Sequence, residues 1–149
     1  MDTKFVHVNI IAKDWKRLAG FYEKVFNCIP LPPERNLSGE WIEKGTGIFG
    51  AEIRGIHLRL PGNDETGPTL EIFQYNKNKK HSSSIVNREG FAHIAFRVDS
   101  IEEIRDAVLK EGGRLIGDIV TVKVEGAGNV TFLYLTDPEG NIIELQKWS

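Results

Sequence analysis

Two histidines and two glutamates recur at matched positions of this chain and have the side chains needed to bind a metal ion. His7 lies in FVHVNII and His93 in FAHIAFRV, which are 93 − 7 = 86 residues apart. Glu71 lies in TLEIFQY, 71 − 7 = 64 residues after the first histidine, and Glu144 in IIELQKW, 144 − 93 = 51 residues after the second. Two imidazoles and two carboxylates suit a borderline divalent cation such as zinc, nickel or cobalt, at bond lengths of about 2.0–2.2 Å.

All four residues are predicted to lie on strands, where a period of two decides which face each side chain takes. Leu70 and Ile72 share one face of their strand, and Glu71 shares the other with Phe73. A carboxylate on a mostly apolar inner face is costly unless a charged group pairs with it. If the two halves are related by a pseudo-two-fold axis, one metal ion would neutralise both carboxylates.

A single histidine on a strand is more often a hydrogen-bonded core or edge residue than a ligand. The paired recurrence favours the metal site, because independent surface residues have no reason to recur in matched modules. His57 and His81 have no counterpart in the repeat, and we predict that both face solvent.

The elements that position these residues repeat as well, since each half is predicted to run strand, helix, strand, strand, strand. The first strand spans 5–11, and its helix starts after the N-cap Asp14 and stops at Asn27. In the second half, Ser100 begins a capping box and Gly112-Gly113 end the helix. The 86-residue offset holds without a gap through both helices. The remaining predicted strands are 52–60, 69–75, 91–98, 114–120, 129–135 and 142–148, with a tight turn at 137–141.

The repeat predicts one domain over 1–149, with a first module at 1–75 and a second at 91–149. The polar stretch 76–90 is predicted to be a linker, and 28–50 is the least regular segment.

Composition is that of a soluble globular protein, with 149 residues, 40% hydrophobic, 27% charged and a formal net charge of −2. This balance argues against a nucleic-acid partner, and NKNKK at 76–80 is predicted to be a solvated loop. The single cysteine, Cys28, excludes an intramolecular disulfide and is predicted to be a partly buried structural thiol. No apolar run approaches the roughly 20 residues of a membrane span, and the first residues lack a signal-peptide pattern. We therefore expect a cytoplasmic protein with no membrane partner.

Four segments together make the chain resemble the vicinal oxygen chelate (VOC) superfamily, which includes glyoxalases, bleomycin-resistance proteins and extradiol dioxygenases. They are FVHVNIIAKDWKRLAGFYEKVF, GPTLEIFQY, GFAHIAFRVDSIEEI and DPEGNIIELQKW. The resemblance covers nearly the whole chain apart from 28–50 and 76–90. It implies an α+β fold in which two βαβββ modules form one open, barrel-like, eight-stranded mixed sheet with the helices outside and a metal in the cleft.

Within the superfamily, a His-Glu-His-Glu ligand set resembles that of glyoxalase I, which converts the hemithioacetal of methylglyoxal and glutathione to lactoylglutathione. The resemblance implies a divalent-metal-dependent lyase or isomerase with one zinc, nickel or cobalt ion per site, bound by His7, Glu71, His93 and Glu144. The reaction would be a proton transfer through a metal-bound ene-diolate, with Glu144 as the base and Glu71 as the alternative base. The substrate would be a thiol adduct of an α-ketoaldehyde. A homodimer is expected, although the four ligands could also come from one chain, as in the related epimerases.

Other members of the superfamily define the alternatives. Bleomycin-binding relatives lack the ligands and would make this a metal-free small-molecule-binding protein, while methylmalonyl-CoA epimerases generally carry Gln where this chain has Glu71. A dioxygenase would need iron or manganese, and Glu71 argues against it by filling a coordination position that an oxygenase leaves open. A substrate pocket could be walled by Trp41, Phe73, Arg97 and Tyr134, for which core packing, or an ordinary surface charge for Arg97, is the competing interpretation.

Overall fold

The computed structural model describes residues 2–80, 82 and 85–149. The chain divides into two compact units, Met1–Lys80 and His81–Ser149, so that the boundary falls within the stretch predicted to be a linker. The first unit contains β1 (His7–Ile11), α1 (Trp15–Phe26), β2 (Ile29–Leu37), α2 (Glu40–Thr46), β3 (Ile53–Arg59) and β4 (Thr69–Tyr75). The second contains β5 (His93–Arg97), α3 (Ile101–Lys110), β6 (Arg114–Leu115), β7 (Val120–Val124), β8 (Gly128–Thr136) and β9 (Ile142–Trp148).

The two units build their sheets in the same way. In the first unit the strand order is β1-β4-β3-β2, and in the second it is β5-β9-β8-β6 with β7 also pairing with β8. The first strand of each unit runs parallel to the last, and the other pairs are antiparallel. The mixed α+β class is confirmed. The described residues form two open sheets with nine strands, where one eight-stranded sheet was expected.

The additional strand arises because the predicted strand 114–120 is interrupted. It divides into β6 and the start of β7, with Gly117 and Asp118 between them. Glycine and aspartate are depleted in strands because glycine has no side chain to pack and aspartate favours turns. β6 is consequently two residues long and β7 starts a new pairing with β8.

The N-caps predicted at Asp14 and Ser100 and the end of α1 predicted at Asn27 are confirmed. The side chain of Asp14 accepts a hydrogen bond from the backbone N–H of Arg17 at 3.1 Å, and Asn27 ends α1 in the left-handed conformation at φ 55°. The side chain of Ser100 accepts one from the backbone N–H of Glu103 at 3.2 Å. These bonds satisfy backbone groups that a helix end leaves unpaired.

One face of each sheet packs against a helix of the same unit. α1 lies against β3 and β4, whose Leu58, Leu70 and Ile72 are fully buried. α3 lies against β8 and β9, whose Leu135 and Ile143 are likewise fully buried. Because side chains alternate along a strand, the residues between these leucines and isoleucines take the opposite face of each sheet. That face carries Glu71 and Glu144.

Residues 28–50, predicted to be the least regular segment, contain both β2 and α2. The pairing of β2 with β3 shifts register between Leu31 and Arg35, where Pro32 and Pro33 have no backbone N–H to donate. β2 is the last strand of its sheet order, and edge strands tolerate proline because one side needs no ladder bond.

Three further expectations concern the surface and Cys28. NKNKK at 76–80 is exposed and carries no helix or strand, as predicted. Cys28 is buried, and this burial raises the pKa of its thiol to about 12, with the charge of Glu23 adding to the shift. None of the helices in the described residues has the length and apolar character needed to cross a lipid bilayer.

Candidate functional site

The first histidine–glutamate pair is formed by the parallel pairing of β1 with β4. His7 opens β1 opposite Thr69, which places it next to Glu71 on the same face of the sheet. Its Nε2 lies 3.1 Å from Oε2 of Glu71, and the side chain of Asn9 donates a hydrogen bond to the same oxygen at 3.3 Å. The side chain of Glu71 is only 11% exposed, whereas that of His7 is 41% exposed. The pair therefore joins a buried carboxylate to an imidazole that solvent can reach.

The second pair has the same construction on β5 and β9. His93 opens β5 opposite Ile142, two residues before Glu144. Its Nε2 lies 3.0 Å from Oε2 of Glu144, and the side-chain amide of Gln146 donates to Oε1 at 2.8 Å. The indole N–H of Trp148 donates in turn to Gln146 at 3.2 Å. Glu144 is likewise buried.

The structure thus brings each predicted histidine to the glutamate of its own half, in the same register and through the same pair of atoms. Each carboxylate is buried and has histidine as its ion-pair partner. That the two pairs act together as one site stays a prediction.

The prediction that His57 faces solvent was wrong. Its side chain is 20% exposed, and its Nε2 lies 2.9 Å from Oε1 of Glu71, the oxygen that His7 does not contact. Its Nδ1 lies 3.3 Å from the hydroxyl of Thr69. Burial lowers the pKa of His57 below its ordinary value, and the charges of Arg35 and His7 act in the same direction while that of Glu71 opposes them. His81 lies outside the described residues.

His57 was missed because its equivalent in the second half is a tyrosine. His57 lies opposite Glu71 on β3, and Tyr134 lies opposite Glu144 on β8. These two residues are 134 − 57 = 77 positions apart, not 86, because the loops of the two halves differ in length. The alternation of Ile56 and Leu58 was the available signal, since it puts His57 on the face away from α1.

Asn9 and Gln146 were not predicted as partners of the carboxylates, although their spacing indicates the role. Asn9 lies two residues after His7, and Gln146 two residues after Glu144, so each shares a face with the predicted ligand.

The four predicted pocket residues have different surroundings. The ring of Tyr134 lies 5.2 Å from that of His93, and burial, followed by the charge of Glu144, raises the pKa of Tyr134. Phe73 lies 5.7 Å from the ring of His57 and also packs against a small apolar cluster. Trp41 on α2 is 62% exposed, and Arg97 is exposed at the end of β5. Among the contacts of the described residues, none links Trp41 or Arg97 to a histidine–glutamate pair.

Each pair has the donor types that bind a divalent ion, at a separation that also suits a hydrogen bond. The N–O separations are 3.1 Å for His7–Glu71 and 3.0 Å for His93–Glu144, slightly less than the roughly 3.4 Å between two donors bound at about 2.1 Å to a tetrahedral ion. Among the described residues, no three His, Cys, Asp or Glu side chains are grouped so as to hold an ion. His57 contacts Oε1 of Glu71, whereas His7 contacts Oε2. Each pair alone therefore offers two ligands.

The fold agrees with what comparison with known proteins finds. The chain belongs to the Glyoxalase/Bleomycin resistance protein/Dioxygenase superfamily, whose family model matches residues 4–145.

One curated protein and two solved structures are similar to this chain. The curated protein "Glyoxylase I 4" of Arabidopsis thaliana is 26% identical over 145 residues, which cover 96% of this chain and 70% of the relative. A solved glyoxalase family protein from Bacillus cereus is 21% identical and has a TM-score of 0.75, covering 98% of this chain and 93% of its own. A genomically encoded fosfomycin resistance protein from Listeria monocytogenes is 18% identical with a TM-score of 0.65, covering 100% and 94%. The two structural likenesses show the fold alone.

Proposed function

We propose that this protein is a divalent-metal-dependent lyase or isomerase of the glyoxalase I type. The observation that carries the proposal is the histidine–glutamate pair, which recurs in both units with the same register, the same contacting atoms and the same burial. The distant relative described as a glyoxylase I supports the reaction type.

In this proposal, His7, Glu71, His93 and Glu144 would hold one zinc, nickel or cobalt ion. The two pairs would come from one chain or from the two chains of a cytoplasmic homodimer. When bound, the ion would supply positive charge to the oxygens of the substrate and so make the neighbouring C–H bond more acidic.

In this proposal a glutamate carboxylate transfers the proton. The contacts of the two glutamates favour Glu144 over Glu71 as this base. Glu71 is held by three side chains, those of His7, Asn9 and His57. Glu144 is held by two, those of His93 and Gln146. Because fewer contacts restrain Glu144, it is the carboxylate better able to move between positions.

Glu144 would break the C–H bond next to the carbonyl, keep the proton on its carboxylate and return it to the neighbouring carbon. The proton removed is the proton returned, so no external oxidant is consumed. A hemithioacetal becomes a thioester in this way when its hydroxyl hydrogen also passes to the former carbonyl oxygen, which becomes the hydroxyl group of the product. The substrate class is therefore a thiol adduct of an α-ketoaldehyde.

The direct test combines metal analysis with turnover. Protein purified without chelator should contain one divalent ion per four-ligand site, and it should convert methylglyoxal with one of several thiols when nickel or zinc is supplied. Glu144→Gln should lower kcat by about 10²–10⁴-fold while metal content is kept, because loss of a general base has effects of that size. Turnover of this variant at the wild-type rate would remove Glu144 as the base.

The same experiment separates the alternatives. A metal-free small-molecule-binding protein would contain no stoichiometric ion, and its ligand binding would be indifferent to chelators. A dioxygenase would take up oxygen in the presence of iron or manganese, and an epimerase would act on a substrate without a thiol. Any of these results would replace the lyase proposal.

A further inference from the structure

His57 and His7 contact different oxygens of the Glu71 carboxylate. Nε2 of His57 lies 2.9 Å from Oε1, whereas His7 and Asn9 both approach Oε2. All of these contacts lie within the first unit. The anchor on Oε1 is therefore independent of how the four-ligand site is assembled.

The surroundings of His57 specify its tautomer. An ionised carboxylate accepts hydrogen bonds and has no hydrogen to donate. For the contact with Glu71, Nε2 of His57 must therefore carry the hydrogen. Nδ1 then accepts from the hydroxyl of Thr69, at 3.3 Å. The ring is mostly shielded from solvent, with 20% of the side chain exposed, so both contacts are made in a confined position.

The ring is also held in place by packing. Phe73 lies edge-on to His57, with ring centroids 5.7 Å apart. Phe73 is the cross-strand partner of Gly55, where an added Cβ would lie 2.6 Å from the Phe73 ring and 2.1 Å from a backbone oxygen. The absence of a side chain at Gly55 thus leaves room for Phe73, which in turn fixes His57.

We propose that His57 is a positioning residue that holds Oε1 of Glu71 through a fixed Nε2–H donor, leaving Oε2 as the one oxygen available to a metal ion. This inference rests on the proposed function. It differs from the ligand assignment, because His57 acts through Glu71 and does not itself bind the ion. Donors of this kind orient a ligand, and their loss typically costs 10–100-fold in metal affinity.

The test uses Co²⁺, whose visible absorption reports the number and arrangement of its ligands. His57→Ala should weaken Co²⁺ binding by about 10–100-fold and change the spectrum, because Glu71 can then turn both oxygens to the ion. His57→Gln should restore affinity and spectrum close to wild type, since its amide nitrogen occupies the position of Nε2. Thr69→Val should weaken binding less than His57→Ala, because it removes only the hydroxyl that fixes the tautomer. Arg54→Ala, an exposed change on the opposite face of β3, should leave binding unchanged.

The outcomes separate the two proposals. A wild-type protein that binds no Co²⁺ overturns the proposed function together with this inference. Wild-type binding that His57→Ala leaves unaltered in affinity and spectrum overturns the role of His57 alone. If His57→Ala does not fold, the inference still requires Thr69→Val to bind more weakly than His57→Gln. Ring ¹⁵N chemical shifts of the metal-free protein should show the proton on Nε2, and a proton on Nδ1 alone would also overturn the role.

Discussion

The side chain of Asp137 stabilises the turn that precedes β9, the strand that carries Glu144. Replacing Asp137 should therefore lower the stability of the fold considerably. Its side chain is 1% exposed. One carboxylate oxygen accepts the backbone N–H groups of Glu139 and Asn141 at 2.8 and 3.0 Å, and the other accepts the side-chain amide of Asn141 at 2.7 Å. The turn at 137–141 is thereby closed from inside by a single buried charge.

The expected cost follows from these bonds. A hydrogen bond to a charged group contributes about 1.5–3 kcal/mol, and Asp137→Ala removes at least three of them. Part of that sum is offset because the variant no longer buries a carboxylate and water reaches some of the freed donors. We expect Asp137→Ala to lower the free energy of unfolding by about 2–4 kcal/mol. Asp137→Asn keeps one oxygen for the two backbone donors and should cost about 1–2 kcal/mol.

Thermal unfolding followed by far-UV circular dichroism, in the presence of chelator, measures the difference. For a chain of this length, the Ala variant should unfold about 4–16 °C below wild type. Asp118→Ala is the matched control, because Asp118 is an exposed aspartate in another loop of the same unit. An Ala variant within about 1 kcal/mol of wild type would refute the reasoning. So would an Asn variant as unstable as the Ala variant, since the retained oxygen would then contribute nothing.

Two further predictions concern the thiol and the ligands. Because burial raises the pKa of the Cys28 thiol to about 12 from its ordinary value of 9.0, the folded protein should react with a thiol reagent at pH 8 about 1000-fold more slowly than the urea-unfolded protein. Rapid labelling of the folded chain would contradict the burial of this group. His7→Ala and His93→Ala should each weaken zinc binding at least tenfold and by similar factors in competition with a chromogenic chelator, because the two pairs are alike. Wild-type affinity in either variant would exclude that histidine from the ligand set.

Much of the fold could be predicted because its signals are local. The helix caps at Asp14, Asn27 and Ser100 depend on residues within one turn, and a single sequence displays them. β2 could not be predicted in the same way, because its prolines oppose a strand and its pairing partner β3 lies about twenty residues further along the chain. In β2, the backbone hydrogen bonds to β3 outweigh the preference of the prolines against a strand.

For the candidate site, too, the residues with a local sequence signal could be predicted and the residue that depends on strand pairing could not. His7 and Glu71 were predicted from the repeat, and alternation also put Glu71 on the strand face opposite Leu70 and Ile72. His57 was not found, because its role depends on the antiparallel register of β3 with β4. Register is set by turns and side-chain packing across strands, and the loop lengths that control it differ between the two halves.

The two histidine–glutamate pairs are alike in the contact between histidine and glutamate, and they differ in the residue that holds the second oxygen of the carboxylate. In both, Oε2 of the glutamate meets the histidine that opens the first strand. Oε1 is held by His57 from the neighbouring strand in the first unit, but by Gln146 from the same strand in the second. An anchor on a separate strand fixes a carboxylate against the whole sheet, whereas an anchor two residues away on its own strand restrains it less. This asymmetry is what the proposed reaction needs, because one carboxylate must stay in place while the other moves to carry a proton.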